Sequence, residues 1–132
     1  MKIAVDTNVL VRAILADDPG QTRVARKLLK DATTIAVPLA CLCELVWILR
    51  RGAKLATADI AAAIRALVNA GNVAVNRPAV EAGLKLLEAG GDFADGVIAY
   101  EGRWLGGETF VSFDRKAVAL LSQQGEAAQL LS

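Results

Sequence analysis

The sequence predicts an α/β protein, a three-layer α/β/α sandwich in which helices cover both faces of a parallel sheet of four to five strands. Short, wholly apolar segments alternate with longer segments of helical periodicity, which is typical of a parallel sheet buried on both sides. The 132 residues, 55% of them hydrophobic, can bury a core without disulfides or a structural metal. We therefore expect a single domain over residues 1–132.

The elements follow from apolar runs and from the residues that interrupt them. Strands are predicted at 3–5, 34–37, 73–75 and 109–112, where short apolar runs occur. Helices are predicted at 9–15, 22–32, 38–51, 57–70, 78–89, 92–104 and 115–123, where apolar residues recur at helical spacing. A turn is expected at 17–20, Gly52 and Gly71 should end their helices, and Thr57 or Asp59 should begin one. The tail at 126–131 has no decisive pattern.

The absence of histidine excludes several classes of chemistry. Ser-His and Cys-His nucleophiles, imidazole bases and zinc sites that contain histidine all require a residue that this chain lacks. Cys41 and Cys43 stand two apart in a predicted helix and point to different faces, so they cannot bridge each other. We interpret them as small buried hydrophobes. The net charge of +1 argues against a large basic surface.

The location follows from the same features. Unpaired cysteines favour the cytoplasm, and the first residues reach Asp6 too soon for the apolar core of a signal peptide. The longest apolar run, 38–49, is interrupted by Glu44 and is too short to span a membrane. We therefore expect a cytoplasmic protein without a membrane partner.

Acidic side chains occur where predicted strands end. Asp6 follows the first strand, and Asp114 follows the strand at 109–112 after one phenylalanine. The carboxyl ends of parallel strands meet along one edge, where ligands bind. Each of these acids also suits the N-cap of the following helix, so capping alone explains either one equally well.

Three more acids have unusual surroundings. Glu44 is the one charged residue between Asp31 and Arg50, in a helix that is apolar nearly all round, so we expect it to be buried and to need a cation or donor. Asp92 and Asp95 follow two glycines and precede an apolar run. Asp92 fits an N-cap, with Asp95 in the reciprocal position, and capping is its more natural role.

A cluster of carboxylates without histidine would make a hard, oxygen-only site. Such a site suits Mg²⁺ or Mn²⁺, and Mg²⁺ usually completes its shell with waters and the phosphate oxygens of a substrate. The implied substrate is a phosphodiester, because a metal can lower the pKa of the attacking water and stabilise the leaving oxygen without an imidazole base.

These acids and their neighbours, in this order, resemble a PIN domain, and in particular a VapC-type toxin of a type II toxin–antitoxin system. The resemblance extends over the whole chain and rests on four segments: Val5-Asp6-Thr7-Asn8-Val9-Leu10, Glu44 in the helix after Pro38, Asp92-Phe93-Ala94-Asp95 with Val97-Ile98-Ala99, and Thr109-Phe110-Val111-Ser112-Phe113-Asp114-Arg115. Each segment alone is a weak signal, whereas the ordered set is specific.

The resemblance implies a Mg²⁺- or Mn²⁺-dependent endoribonuclease that cuts single-stranded or loop regions of RNA. By motif position, Asp6, Glu44, Asp95 and Asp114 take the catalytic and metal-binding places, and Asp92 is an accessory metal-binding acid. The resemblance further implies a homodimer that is inhibited by an antitoxin protein, and composition makes the apolar helices at 39–70 the candidate dimer face.

Two further residues have supporting roles by the same resemblance. Asn8 and Ser112 match positions that hydrogen-bond the acids or the water of the metal. Ser112 stands where a threonine is often seen.

Two other classes stay open from the sequence. A receiver-like domain or a Mg²⁺-dependent phosphatase would also use an aspartate after a strand. However, Asn8 stands where the second acid of a dehalogenase pair would be, and Asn76 follows the third strand where a receiver has its aspartate. The other alternative is a PIN fold kept as a non-catalytic interaction module.

Overall fold

Parallel strands and helices alternate along the whole chain, so the predicted α/β class is confirmed. The structure, a computed structural model, describes all residues from Met1 to Ser132. The elements, in order, are β1 (Lys2–Ala4), α1 (Thr7–Leu15), α2 (Pro19–Asp31), β2 (Thr34–Ala36), α3 (Leu39–Trp47), a π-helix (Ile48–Gly52), α4 (Thr57–Val68), β3 (Val73–Ala74), α5 (Arg77–Glu88), α6 (Phe93–Trp104), β4 (Phe110–Ser112), α7 (Arg115–Gln123) and β5 (Ala128–Leu130).

The strands pair in two parallel sheets, one in each of two compact units of the chain. The N-terminal unit, Met1–Asn76, holds a sheet of order β1-β2-β3, in which Ile35 of β2 is in register with Ile3 and with Val73. The C-terminal unit, Arg77–Ser132, holds the pair β4-β5. The largest sheet therefore has three strands, and the prediction of a sheet of four to five was too large.

Helix α3 supplies much of the core of the N-terminal unit. Leu42 and Leu45 of α3 are fully buried, as is Leu49 of the π-helix that follows, whereas Trp47 is exposed. The predicted helix at 38–51 changes to π-helical geometry at Ile48, a wider turn that is common beside functional residues. Helix α1 packs against both α2 and α3, so the end of β1 is held close to α3.

The C-terminal unit is built on very close packing between α5 and α6. A side chain on Gly96 would lie 2.4 Å from the carbonyl oxygen of Ala82, and one on Gly83 would lie 2.6 Å from the ring of Phe93. Both glycines are needed for this separation, because no other residue leaves room for the facing helix. The strand β4 packs against the other side of the unit's core, where Phe110 contacts the buried cluster of Leu86, Ala99 and Leu121.

Several element boundaries differ from the predictions. Helix α2 begins at Pro19, inside the predicted turn, because Asp18 caps it by accepting a hydrogen bond from the Gln21 N–H and proline suits the first helical position. Helix α4, in contrast, begins at Thr57 as predicted, with Asp59 in its first turn and Ala56 in the N-cap position. The tail forms β5, a strand of three residues that is too short to show a period. None of the helices has both the length and the apolarity that crossing a membrane requires.

Candidate functional site

The first candidate acid, Asp6, follows β1 and caps α1. Its Oδ1 accepts a hydrogen bond of 2.7 Å from the backbone N–H of Thr7, so the capping interpretation is confirmed for this residue. The carboxylate is exposed, and this cap is made through one of its two oxygens. Capping therefore fixes the direction of the side chain and leaves an acceptor for another ligand.

A long-range contact brings Asp6 toward α3. The buried hydroxyl of Thr7 donates to Sγ of Cys41 over 3.6 Å, which ties the start of α1 to α3. Glu44 follows Cys41 by about one helical turn. Burial raises the pKa of the Cys41 thiol, and the nearby charges of Asp6 and Glu44 raise it further, although the hydrogen bond from Thr7 lowers it. The carboxylates of Asp6 and Glu44 thus act on the same part of the N-terminal unit.

Glu44 itself is exposed, so the expectation that it is buried was wrong. The apolar character of α3 on nearly all sides suggested burial, but the helix buries only the face that carries Leu42, Leu45 and Val46. Trp47, one turn beyond Glu44, is 63% exposed. Glu44 therefore lies on an open face of the helix and has no need of a buried cationic partner.

In the C-terminal unit, the charges of two acids act on a third. Asp95 lies in the first turn of α6 and is half-buried. Its pKa is raised, first by burial and then by the negative charges of Asp92 and Asp114. Like charges that repel one another at this range make the ionised form of Asp95 costly, and a bound cation would reverse that cost.

Two hydrogen bonds, one from its backbone N–H and one to its side chain, fix Asp114 just after β4. The hydroxyl oxygen of Ser112 accepts from the Asp114 N–H at 2.9 Å, and the Oδ1 of Asp114 accepts from the Ala117 N–H at 3.1 Å. Asp114 is thus the N-cap of α7, and its capping interpretation is confirmed. Asp92 occupies the N-cap position of α6, but its side chain makes no capping hydrogen bond, so the capping role preferred for it was wrong.

Asn8, predicted to support the acids, lies in the first turn of α1 and is exposed. It lines a cavity of about 480 Å³ within the N-terminal unit, together with Arg12 of α1 and with Gln21 and Leu28 of α2. Asn8 is therefore accessible from solvent, and it lies two residues after Asp6 in the chain.

The donor chemistry of these residues fits a small, hard cation. All five acids offer carboxylate oxygens, the ligands that Mg²⁺ and Mn²⁺ prefer. Within neither unit, however, do three acidic or thiol side chains lie close enough together to hold a metal ion. The candidate ligands form two groups, Asp6 with Glu44 and Asp92 with Asp95 and Asp114, one in each unit.

The sequence-based prediction missed some residues near the candidate acids. Thr7 links two elements through Cys41, a contact that no local pattern reveals. Trp47, Trp104 and Phe113 are exposed, and Phe113 directly precedes Asp114 in the chain. The adjacency of Phe113 to a candidate ligand was visible in the sequence, whereas its exposure was not.

Comparison with known proteins identifies a family over most of the chain. A family model described as PIN domain matches residues 3–120, a range that contains β2, β3, β4, most of β1 and all five candidate acids. No curated protein matches the chain. Because the match covers most of the sequence and extends across both units, the chain belongs to the PIN-domain family.

Proposed function

We propose that this protein is a Mg²⁺- or Mn²⁺-dependent endoribonuclease that hydrolyses phosphodiester bonds of RNA. PIN domains are nuclease-type domains that generally depend on divalent metal ions, so family membership supports a hydrolase that acts on nucleic acid. The proposal assigns metal binding and catalysis to Asp6, Glu44, Asp95 and Asp114. Asp92 serves as an accessory metal-binding acid.

The observation that carries the proposal is the crowding of carboxylates in the C-terminal unit. Burial raises the pKa of Asp95, and the charges of Asp92 and Asp114 raise it further, a repulsion that contributes nothing to folding. Carboxylates perturbed by burial together with charged neighbours are typical of functional sites. In the N-terminal unit, Asp6 and Glu44 likewise act together on the Cys41 thiol.

The chain's own residues have separable tasks in this reaction. Asp6 and Asp114 are held at helix N-caps, so each can present a second oxygen in a fixed direction. Ser112 positions Asp114 through its backbone N–H, and Asn8 is an exposed hydrogen-bonding group beside Asp6. When bound, a divalent cation supplies Lewis acidity, which lowers the pKa of water and offsets negative charge on the phosphate.

The finer biological role is part of the same proposal. The resemblance to VapC-type toxins supports a toxin of a toxin–antitoxin pair, held inactive by a cognate antitoxin protein. The free thiols of Cys41 and Cys43 support a cytoplasmic location. The exposed Trp47, within the apolar stretch at 39–70, supports a homodimer that uses this stretch.

Incubation of the purified protein with a mixture of structured and unstructured RNAs tests the nuclease proposal. We expect cleavage of unstructured regions in Mn²⁺ or Mg²⁺, no cleavage in EDTA, and no cleavage by Asp6→Asn. Asparagine also caps helices, so this variant should fold normally and isolate the loss of the carboxylate. Cleavage that persists in EDTA would exclude the metal mechanism, and absence of cleavage with either metal would favour a non-catalytic interaction module.

A further inference from the structure

Phe113 is an exposed aromatic side chain next to a proposed metal ligand. It is 73% exposed, whereas Phe93 of the same unit is 1% exposed and Phe110 packs on the core. Leaving a side chain of this size in water forgoes the stabilisation that its burial in the core would contribute. Phe113 therefore adds little to the stability of the fold.

The backbone around Phe113 is held firmly. The hydrogen bond from the Asp114 N–H to Ser112 Oγ spans Phe113, and Asp114 is bonded in turn to the Ala117 N–H. A ring on such a turn is positioned before any ligand arrives, so little ordering entropy is lost when a flat group stacks on it.

Positive charges follow immediately in the chain. Arg115 and Lys116 are exposed in the first turn of α7, where the helix dipole disfavours cations. Their position is thus unfavourable for the helix but suits an anionic ligand. An aromatic face, an acid of the proposed site and two cations occur in four consecutive residues, 113–116.

We propose that Phe113 stacks on a nucleobase of single-stranded RNA next to the phosphodiester that is cut, while Arg115 and Lys116 contact the RNA backbone. This inference rests on the proposed nuclease function and names a substrate-binding residue for it. An exposed aromatic ring beside cations is the combination by which proteins hold single strands, because every base has a π-face and every linkage carries a negative charge.

The binding of a short, unstructured, fluorescein-labelled RNA oligonucleotide tests this assignment. Fluorescence anisotropy in Ca²⁺ buffer reports binding separately from cleavage. We expect Phe113→Leu to weaken binding about fivefold or more, because leucine retains apolar surface without a π-face, and Phe113→Trp to bind at least as tightly. Trp104→Leu is the matched control, since Trp104 is 76% exposed in the same unit but lies at the opposite end of α6 from Asp95, and it should bind as the wild type does.

Oligonucleotides with a single abasic site locate the contact. One abasic position should weaken binding to the wild type but not weaken binding to Phe113→Leu any further, since the stacking partner is already lost. Arg115→Gln should reduce the dependence of log Kd on log salt by about one phosphate contact.

The possible outcomes distinguish the stacking assignment from the nuclease proposal. If the wild type binds this RNA and Phe113→Leu binds equally well, the stacking assignment is overturned and the nuclease proposal stands. If Trp104→Leu weakens binding as much as Phe113→Leu does, the effect is not specific to Phe113 and the assignment is also overturned. If the wild type neither binds nor cleaves single-stranded RNA, both proposals fall.

Discussion

The two units gather acidic side chains in different ways. In the N-terminal unit, a hydrogen bond between Thr7 and Cys41, 34 residues apart, brings Asp6 near the helix that carries Glu44. In the C-terminal unit, Asp92 and Asp95 lie at the start of one helix and Asp114 at the start of another, and the charges of Asp92 and Asp114 act on Asp95. In the C-terminal unit, the neighbouring negative charges raise the pKa of an acid, Asp95. In the N-terminal unit, they raise the pKa of a thiol, Cys41.

The acids of the two units therefore call for different tests. Asp95 carries the cost of the crowded acids, so its replacement should relieve that cost. Asp6 and Glu44 are exposed acids whose proximity depends on the packing of α1 against α3 and on the Thr7–Cys41 hydrogen bond. If both groups serve one reaction, activity should depend on each of them equally, although stability should not.

The largest expected effect is on RNA cleavage. Asp6→Asn and Asp95→Asn, one from each unit, should each reduce kcat/KM at least about 100-fold, because even partners that only orient metal ligands contribute 10- to 100-fold. Asp17→Asn is the control, since Asp17 is an exposed acid that pairs with Arg12 outside both groups. Full activity of either Asp6→Asn or Asp95→Asn would show that one unit works alone.

The next effect is on folding of the C-terminal unit. Gly96→Ala should lower the free energy of unfolding by about 3 kcal/mol, because its Cβ would meet the Ala82 backbone at 2.4 Å. Gly102→Ala on the same helix has open space around it and should be neutral or stabilising by up to about 1 kcal/mol. Urea denaturation measures both, and equal stability of the two variants would contradict the close packing of α5 on α6.

A smaller effect, an increase in the stability of the fold, is expected for Asp95→Asn in EDTA. The native state raises the pKa of Asp95 above its ordinary value of 3.8, so the native state binds a proton more tightly than the unfolded chain does. The protonated Asp95 therefore stabilises the native state at low pH. This stabilisation is lost as the pH rises from the pKa of the unfolded chain through the pKa of the native state, and at neutral pH the ionised Asp95 destabilises the fold. Asp95→Asn should remove the penalty and raise Tm at pH 7, with no gain at a pH below both values.

The contrast for that measurement is an acid whose side chain has a structural role. Asp18 caps α2 through its bond to the Gln21 N–H, so Asp18→Ala should cost about 1 kcal/mol at pH 7. A loss of stability for Asp95→Asn comparable to that of Asp18→Ala would show that Asp95 is a structural partner instead of a strained acid.

The smallest effect is on thiol labelling in the N-terminal unit. Burial and the charges of Asp6 and Glu44 raise the pKa of Cys41, so it should react with a thiol reagent more slowly than the half-buried Cys43. Glu44→Gln removes one negative charge and should speed labelling of Cys41 a few-fold. Mass spectrometry of labelled peptides separates the two sites, and an unchanged rate would place Glu44 too far away to act on the thiol.

The local rules of the chain determined much of this protein in advance. A strand of three apolar residues followed by an aspartate predicted both the strand end and the cap at Asp6, because both depend on neighbours within a few residues. The same reasoning held for Asp114 and for the bounds of α7, Arg115–Gln123. The order of acids along the chain was sufficient to indicate the family.

Which faces of the helices are buried depends on tertiary packing. The sequence around Glu44 is apolar on nearly all sides, yet burial depends on which elements pack on each face of α3, and Glu44 and Trp47 are left open. The raised pKa of Asp95 depends first on its burial and then on the charges of Asp92 and Asp114. Phe113 is exposed because no other segment packs over its ring. These properties arise from contacts between segments distant in sequence, and hydropathy patterns carry no information about such contacts.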